Sequence, residues 1–255
     1  MILDAFRLDG QVALVTGGGT GLGQGMAVGL AEAGADIAIL HRTHFAETRQ
    51  AVGALGRRCI GVPLDLATAS VEDLGAAVQQ VVAQMGRLDI LVNCAGITAR
   101  APALDYREED WDALLRVNLK AAFFLAQAAA RHFVARGGGG KIINIGSLLS
   151  LQGGILNSGY TSSKSGLLGL TRLLANEWAP LGINVNCIIP GYMDTALCAP
   201  LKADAARNRA ILDRIPANRW GTPQDLQGAV VFLASHAADY VHGIALPVDG
   251  GWLAR

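Results

Sequence analysis

The chain has 255 residues, 51% of them apolar and 16% charged, and its 21 basic and 21 acidic side chains cancel to a formal net charge of zero. That length suits one α/β domain with a full hydrophobic core, and the charge balance gives no electrostatic case for a nucleic-acid or membrane partner. Cys59, Cys94, Cys187 and Cys198 have neither metal-ligand spacing nor a paired arrangement, so reduced thiols and no bound metal are expected. No charged segment running into an apolar one opens the sequence, and no run of about 18 uncharged apolar residues follows. The expectation is a cytoplasmic protein.

Short apolar runs recur at 12–15, 36–40, 58–62, 88–92, 141–145, 183–189 and 244–248, each of strand length. Alanine-rich helical patterns separate them, clearest over 24–31, 48–55, 71–85, 109–135 and 160–179. Near-continuous apolar strands joined by helices predict a parallel sheet buried on both faces. The expected fold class is α/β: a single doubly wound Rossmann-type domain spanning 1–255, with a seven-stranded parallel sheet flanked by helices. The glycine run 137–140 reads as a helix-to-strand loop, and no linker or internal repeat is visible.

The first strand runs into Gly17, Gly18, Gly19, Thr20, Gly21, Leu22 and Gly23, and a helical pattern follows at once. Strand, glycine turn and helix in that order offer backbone N–H groups and a helix N-terminus to a pyrophosphate. The spacing is one residue longer than the common dinucleotide fingerprint; the plain alternative is a turn that lets helix and strand pack closely. After the second strand come His41, Arg42, Thr43 and His44, where a carboxylate for the ribose hydroxyls would mark NAD. A guanidinium suits a 2′-phosphate instead, so NADP(H) is favoured over NAD(H).

Tyr160 and Lys164 stand four residues apart, on one face of the predicted helix. An ammonium beside a phenol favours the phenolate, lowering a pKa of about 10 toward acid/base use near neutral pH. Ser147 lies upstream of the pair. Taken alone, Tyr-x-x-x-Lys also describes an ordinary solvated helix face.

Together these features resemble the short-chain dehydrogenase/reductase family, over essentially the whole chain. The family's Asn-Asn-Ala-Gly stands here as Asn93, Cys94, Ala95 and Gly96, with Cys94 the one departure. Asn118 matches the active-site asparagine, Pro190 and Gly191 open the loop after the sixth strand, and Val248-Asp249-Gly250-Gly251 comes near the end. The resemblance implies catalysis by Asn118, Ser147, Tyr160 and Lys164. Tyr160 would protonate the carbonyl oxygen, Ser147 hold it, Lys164 tune the phenol and reach the nicotinamide ribose, and Asn118 hold a water. It further implies cofactor contacts from Gly17, Gly19, Thr20, Gly21, Leu22, Gly23, His41, Arg42, Asp65, Leu66, Asn93, Ala95, Gly96, Tyr160, Lys164, Pro190, Gly191, Met193 and Thr195.

Segments 1–6, 21–27, 150–155, 211–221 and 249–255 look like the sugar-acid branch of that family, which interconverts keto and hydroxyl groups on hexonates. That branch is generally linked to NAD, so His41-Arg42 departs from it. An anionic substrate needs a cation; Arg100 is the expected anchor, with Gln152 and Tyr192 as polar contacts beside Ser147 and Tyr160. Residues 190–211 are expected to form a flap over the substrate, and helices 109–135 and 160–179 to build a homotetramer. The alternatives are a 3-oxoacyl-carrier-protein or other sugar reductase of the same family, or a non-catalytic dinucleotide-binding regulator. The last typically loses the Tyr–Lys pair, which this chain keeps.

Overall fold

The computed structural model describes residues 1–255 and contains seven strands. They are β1 (Val12–Thr16), β2 (Asp36–His41), β3 (Cys59–Pro63), β4 (Ile90–Asn93), β5 (Gly140–Ile145), β6 (Ile183–Pro190) and β7 (Ala245–Val248). All pair in parallel, in the order β3-β2-β1-β4-β5-β6-β7. The chain works outward from β1 to β3, then returns to lay β4 on the other side. That reversal between β1 and β4 opens a crevice at the carboxyl ends of the strands, where ligands of such sheets bind.

Alternation along the strands supplies both faces. Leu14, Ala38, Leu40, Leu91, Ile142 and Val185 point into one core, with α3 (Val71–Met85), α5 (Ala121–Arg136) and α6 (Ser158–Trp178) packed over them. Ala13, Val15, Ile37, Ile39, Val92, Ile143 and Ile188 point into the other, under α1 (Gly21–Glu32), α2 (Ala46–Ala54) and α9 (Gln227–Ala234). Each fully buried Leu or Ile contributes about 1.5–3 kcal/mol through removal from water. Local chemistry fixes the helix ends: Ser70 and Asp73 form a capping box on α3, and left-handed Gly86 terminates it.

The structure differs from the expected elements in two informative places. The predicted helix 109–135 is α4 (Glu108–Leu115), a π turn (Arg116–Lys120) and α5. In the π turn the Ala121 N–H reaches back to the Arg116 carbonyl. By length and apolar content this 29-residue rod also resembles a membrane span, but half of its apolar window is buried inside the fold. The second difference is the segment after β6, which carries two short helices, α7 (Ala199–Ala203) and α8 (Ala205–Leu212). With Trp220 and Trp252 they enclose a third apolar cluster containing Leu148, Ile189, Ile211 and Ile215.

Candidate active site

The glycine loop sits at the switch point. Gly17 has φ +66°, and a Cβ there would lie 3.1 Å from the Ala95 Cα; a Cβ at Gly23 would strike the Gly17 carbonyl. Backbone can therefore approach backbone, and a ligand can approach both. Thr20 precedes α1 without a side-chain cap, and no acidic side chain stands in the first turn, so the N–H groups of Gly21, Leu22 and Gly23 are left for an anion. Thr16 braces the opposite wall, its hydroxyl accepting from Cys94 N at 3.0 Å and Ala95 N at 2.9 Å.

At the end of β2, the His41 ring stacks on Phe45 and its Nδ1 is buried with no partner. Arg42 is exposed and forms no ion pair. The Gly19 backbone lies against the His44 carbonyl. An orphan ring nitrogen, a free guanidinium and an uncapped helix together fit a dinucleotide.

The remaining expected cofactor residues reach the same crevice in different ways. Asp65, after β3, closes a turn by accepting from Ala67 N at 2.9 Å, while the Leu66 side chain is buried. Pro190 ends β6 and Gly191, Met193 and Thr195 follow it; the Met193 side chain packs in the core and its backbone is bridged to Gly221. Asn93 is placed differently. Its amide is buried and donates to the Ala122 carbonyl at 3.2 Å and Asn144 Oδ1 at 2.9 Å, so it braces the crevice from inside.

The four expected catalytic residues converge. Lys164 is buried and donates to the Ile145 carbonyl at 2.7 Å, with its Nζ 5.9 Å from the Tyr160 ring centre. A Cβ on Gly96 would lie 3.4 Å from Asn118 Oδ1 and 3.5 Å from Lys164 Nζ, which locates all three around one point. Asn118, within the π turn, accepts from Ile97 N at 2.9 Å and donates to the Ile97 carbonyl at 3.0 Å and Ser163 Oγ at 3.1 Å. A π turn at a functional residue is a recurring pattern. Ser147 caps the turn after β5, and Ser150 ties that turn to α6 by donating to the Lys164 carbonyl at 2.8 Å.

One electrostatic expectation is corrected. Burial pushes the Tyr160 phenol up to about 12, and the Ser147 hydroxyl beside it is the strongest opposing influence. Burial also lowers the Lys164 ammonium. Desolvation disfavours both charged forms, and Lys164 is turned toward Ile145, so it does not by itself bring the phenol toward neutrality.

Around the mouth, Tyr192 packs on Trp220 and Trp252, with ring centres at 5.6 and 4.7 Å. Gln152 Oε1 accepts from Trp252 Nε1 at 3.2 Å. Arg100 is exposed, and its positive charge acts to lower the Tyr160, Tyr192 and Cys198 groups.

This geometry agrees with the comparisons. A family model described as enoyl-(acyl carrier protein) reductase matches residues 17–253. The chain is 56% identical over 255 residues, all of both proteins, to the 2-dehydro-3-deoxy-D-gluconate 5-dehydrogenase of Escherichia coli K12. The chain belongs to the short-chain dehydrogenase/reductase family.

Two solved structures of the family superpose closely. One is an Agrobacterium tumefaciens protein described as a candidate 2-deoxy-D-gluconate 3-dehydrogenase with bound NADP, with TM-score 0.92, 52% identity and coverage of 98% of this chain and 99% of that one. The other is a gluconate 5-dehydrogenase from Burkholderia cenocepacia J2315 in complex with NADP and tartrate, with TM-score 0.95, 43% identity and full coverage of both chains. The chain is an NAD(P)-dependent oxidoreductase acting on CH–OH groups. Thr16, Asn144, Ser150 and Ser163, which hold the functional side chains, were not picked out in the sequence. Each is a common residue whose partner lies far along the chain, so no local spacing marks it.

Proposed function

We propose that this protein interconverts a ketone and a hydroxyl group on hexonate sugar acids of the 2-dehydro-3-deoxy-D-gluconate type, using NADP(H) in preference to NAD(H). The observation that carries the reading is the Ser147–Tyr160–Lys164–Asn118 constellation, in a chain 56% identical from end to end to a 2-dehydro-3-deoxy-D-gluconate 5-dehydrogenase. The NADP named in two of the related structures supports the nucleotide, as does the free Arg42 at the end of β2.

When bound, the nicotinamide supplies or accepts the hydride. Tyr160 gives its phenolic proton to the carbonyl oxygen in reduction and takes it back in oxidation. A buried phenol that stays protonated through the neutral range is in the acid form that reduction needs, while oxidation needs the phenolate; general acid–base groups contribute about 10²- to 10⁴-fold to rate. Ser147 donates to the same oxygen and shares the developing charge. Lys164 is held by the Ile145 carbonyl with its Nζ 5.9 Å from the Tyr160 ring centre, and Asn118 secures the Ile97 backbone beside it. Arg100 brings positive charge to the reacting end, which favours an anionic substrate. The half-buried apolar face of α4, α5 and α6, with a groove of about 530 Å³ lined by Leu115, Leu119, Phe123, Phe124 and Leu170, supports association of copies of the chain through those helices, which a homotetramer would use.

The test is the near-ultraviolet absorbance of the reduced nucleotide, followed with NADPH and NADH against a panel of keto sugar acids. Turnover of a 3-deoxyhexulosonate with NADPH preferred is expected. Silence on every sugar acid, with activity on an acyl thioester or a neutral sugar, would discard the substrate class.

A further inference from the structure

Arg214 follows α8 and lies 4.0 Å from the centre of the Trp252 ring, in stacking range. Its Nη2 donates to Gln152 Oε1 at 3.4 Å, the same oxygen that accepts from Trp252 Nε1 at 3.2 Å. Its backbone is held as well: Arg255 Nε donates to the Arg214 carbonyl at 3.3 Å, and Arg255 Nη2 to the Asp213 carbonyl at 2.6 Å. Backbone and guanidinium are therefore both fixed before any ligand arrives.

No carboxylate neutralises that group. Arg100, Arg207 and Arg214 are all absent from the ion pairs of the fold, yet their charges meet at Tyr192, acting on its phenol in the order Arg207, Arg214, Arg100. A guanidinium over an indole at this distance leaves open to a ligand the N–H groups that Gln152 does not take. Gln152 Nε2 has no partner in the fold, and neither does the Tyr192 hydroxyl. Two unengaged polar groups and the remaining N–H groups of Arg214 thus surround one aromatic platform. Arg100, by contrast, is the arginine whose charge reaches the Tyr160 phenol, at the reacting end.

We propose that Arg214, stacked on Trp252 and fixed through Gln152, grips the substrate's carboxylate, so that the acid lies along the Tyr192 wall with its reacting carbon remote from the carboxylate. This rests on the sugar-acid reading above and adds to it which end of the acid points where. A bidentate guanidinium–carboxylate pair supplies both affinity and direction. An acid reacting next to its carboxylate would instead pair with Arg100, whose charge reaches the Tyr160 phenol, so the two orientations call on different arginines.

The test compares a 3-deoxyhexulosonate with its neutral amide, using wild type, Arg214→Gln and Arg214→Lys. Loss of a hydrogen bond to a charged group predicts a KM for the acid raised roughly ten- to hundredfold in Arg214→Gln. The KM for the amide and the affinity for NADPH, read by nucleotide fluorescence, should stay unchanged, and Arg214→Lys should recover part of the loss. An unmoved KM for the acid overturns the anchor, and so does an equal loss for acid and amide. If Arg214→Gln fails to fold, Arg214→Lys and Gln152→Leu carry the test, each expected to raise the KM for the acid alone. Wild-type silence on all hexonates would overturn the substrate class and the anchor together; wild-type turnover with an unmoved variant KM overturns the anchor only.

Discussion

Tyr160 shows how far a motif reads and where it stops. Its pairing with Lys164 and Ser147 was legible because helix spacing and residue type suffice to bring them together. The sign of its pKa was not, because burial belongs to the assembled site. Replacing Tyr160 with Phe is expected to lower the turnover rate by at least about a thousandfold, with NADPH affinity nearly unchanged by fluorescence titration; a variant retaining most of its rate would remove Tyr160 from the acid/base role. The pH consequence follows from the direction of the shift. A folded pKa raised to about 12 from an unfolded value of about 10 means that the native state holds its proton where the unfolded chain releases it. The stability this gives is fully present below about pH 10 and is lost as pH rises toward the folded value. The difference in phenolate absorbance between nucleotide-free wild type and Tyr160→Phe should therefore stay flat past about pH 10. A transition near pH 8 would restore the lysine-tuned phenol.

At the scale of elements, the strands were legible and the interruption of the long helix was not. The inner strands read directly as apolar runs because they are buried on both faces, whereas the edge strands β3 and β7 are only half-buried. The π turn at Asn118 keeps the apolar pattern of its neighbours, so periodicity cannot expose the extra residue, and its cause lies in contacts with Ile97 and Ser163. The substrate lobe was similarly hidden: Trp220 and Trp252 meet Tyr192 only through tertiary packing. The ends of strands carry two predictions. Arg42 is the first side chain after β2, and Arg42→Glu should reverse the preference from NADPH to NADH, through repulsion of a 2′-phosphate and new acceptors for the ribose hydroxyls; kcat/KM with each nucleotide decides it. At the opposite edge, Asp89 joins the start of β1 to the end of α5. It accepts from Val12 N at 2.9 Å and from Arg87 and Arg136. Burial works to raise its pKa, but those donors outweigh it and hold the carboxyl below its ordinary range. Asp89→Ala should cost about 3 kcal/mol, the lower end for a broken buried pair because Arg87 is half exposed. The native pKa being depressed, that contribution is present above about pH 4 and lost on acidification. Urea midpoints for the two proteins should converge as pH falls, and a constant gap would contradict the linkage.

For the molecule as a whole, the face built by α4, α5 and α6 has no counterpart within the chain. Leu173 is 48% exposed and Trp111 37%, while Leu115, Leu119, Phe123, Phe124 and Leu170 form the groove between the helices. A helix needs one apolar stripe to lie on a sheet; these present a second, and apolar surface of that kind marks an interface in a water-exposed protein. The crevice that holds Tyr160, Lys164 and Asn118 is built from the inner sides of the same helices. Assembly through the outer sides would therefore stiffen the frame on which the catalytic groups stand. If copies of the chain associate through this groove, charging it with Leu119→Glu and Phe123→Glu should shift sedimentation velocity to smaller species. Loss of kcat in a dissociated enzyme that still binds NADPH would measure how much of the site's order comes from association. A double variant that sediments like the wild type would place the interface elsewhere.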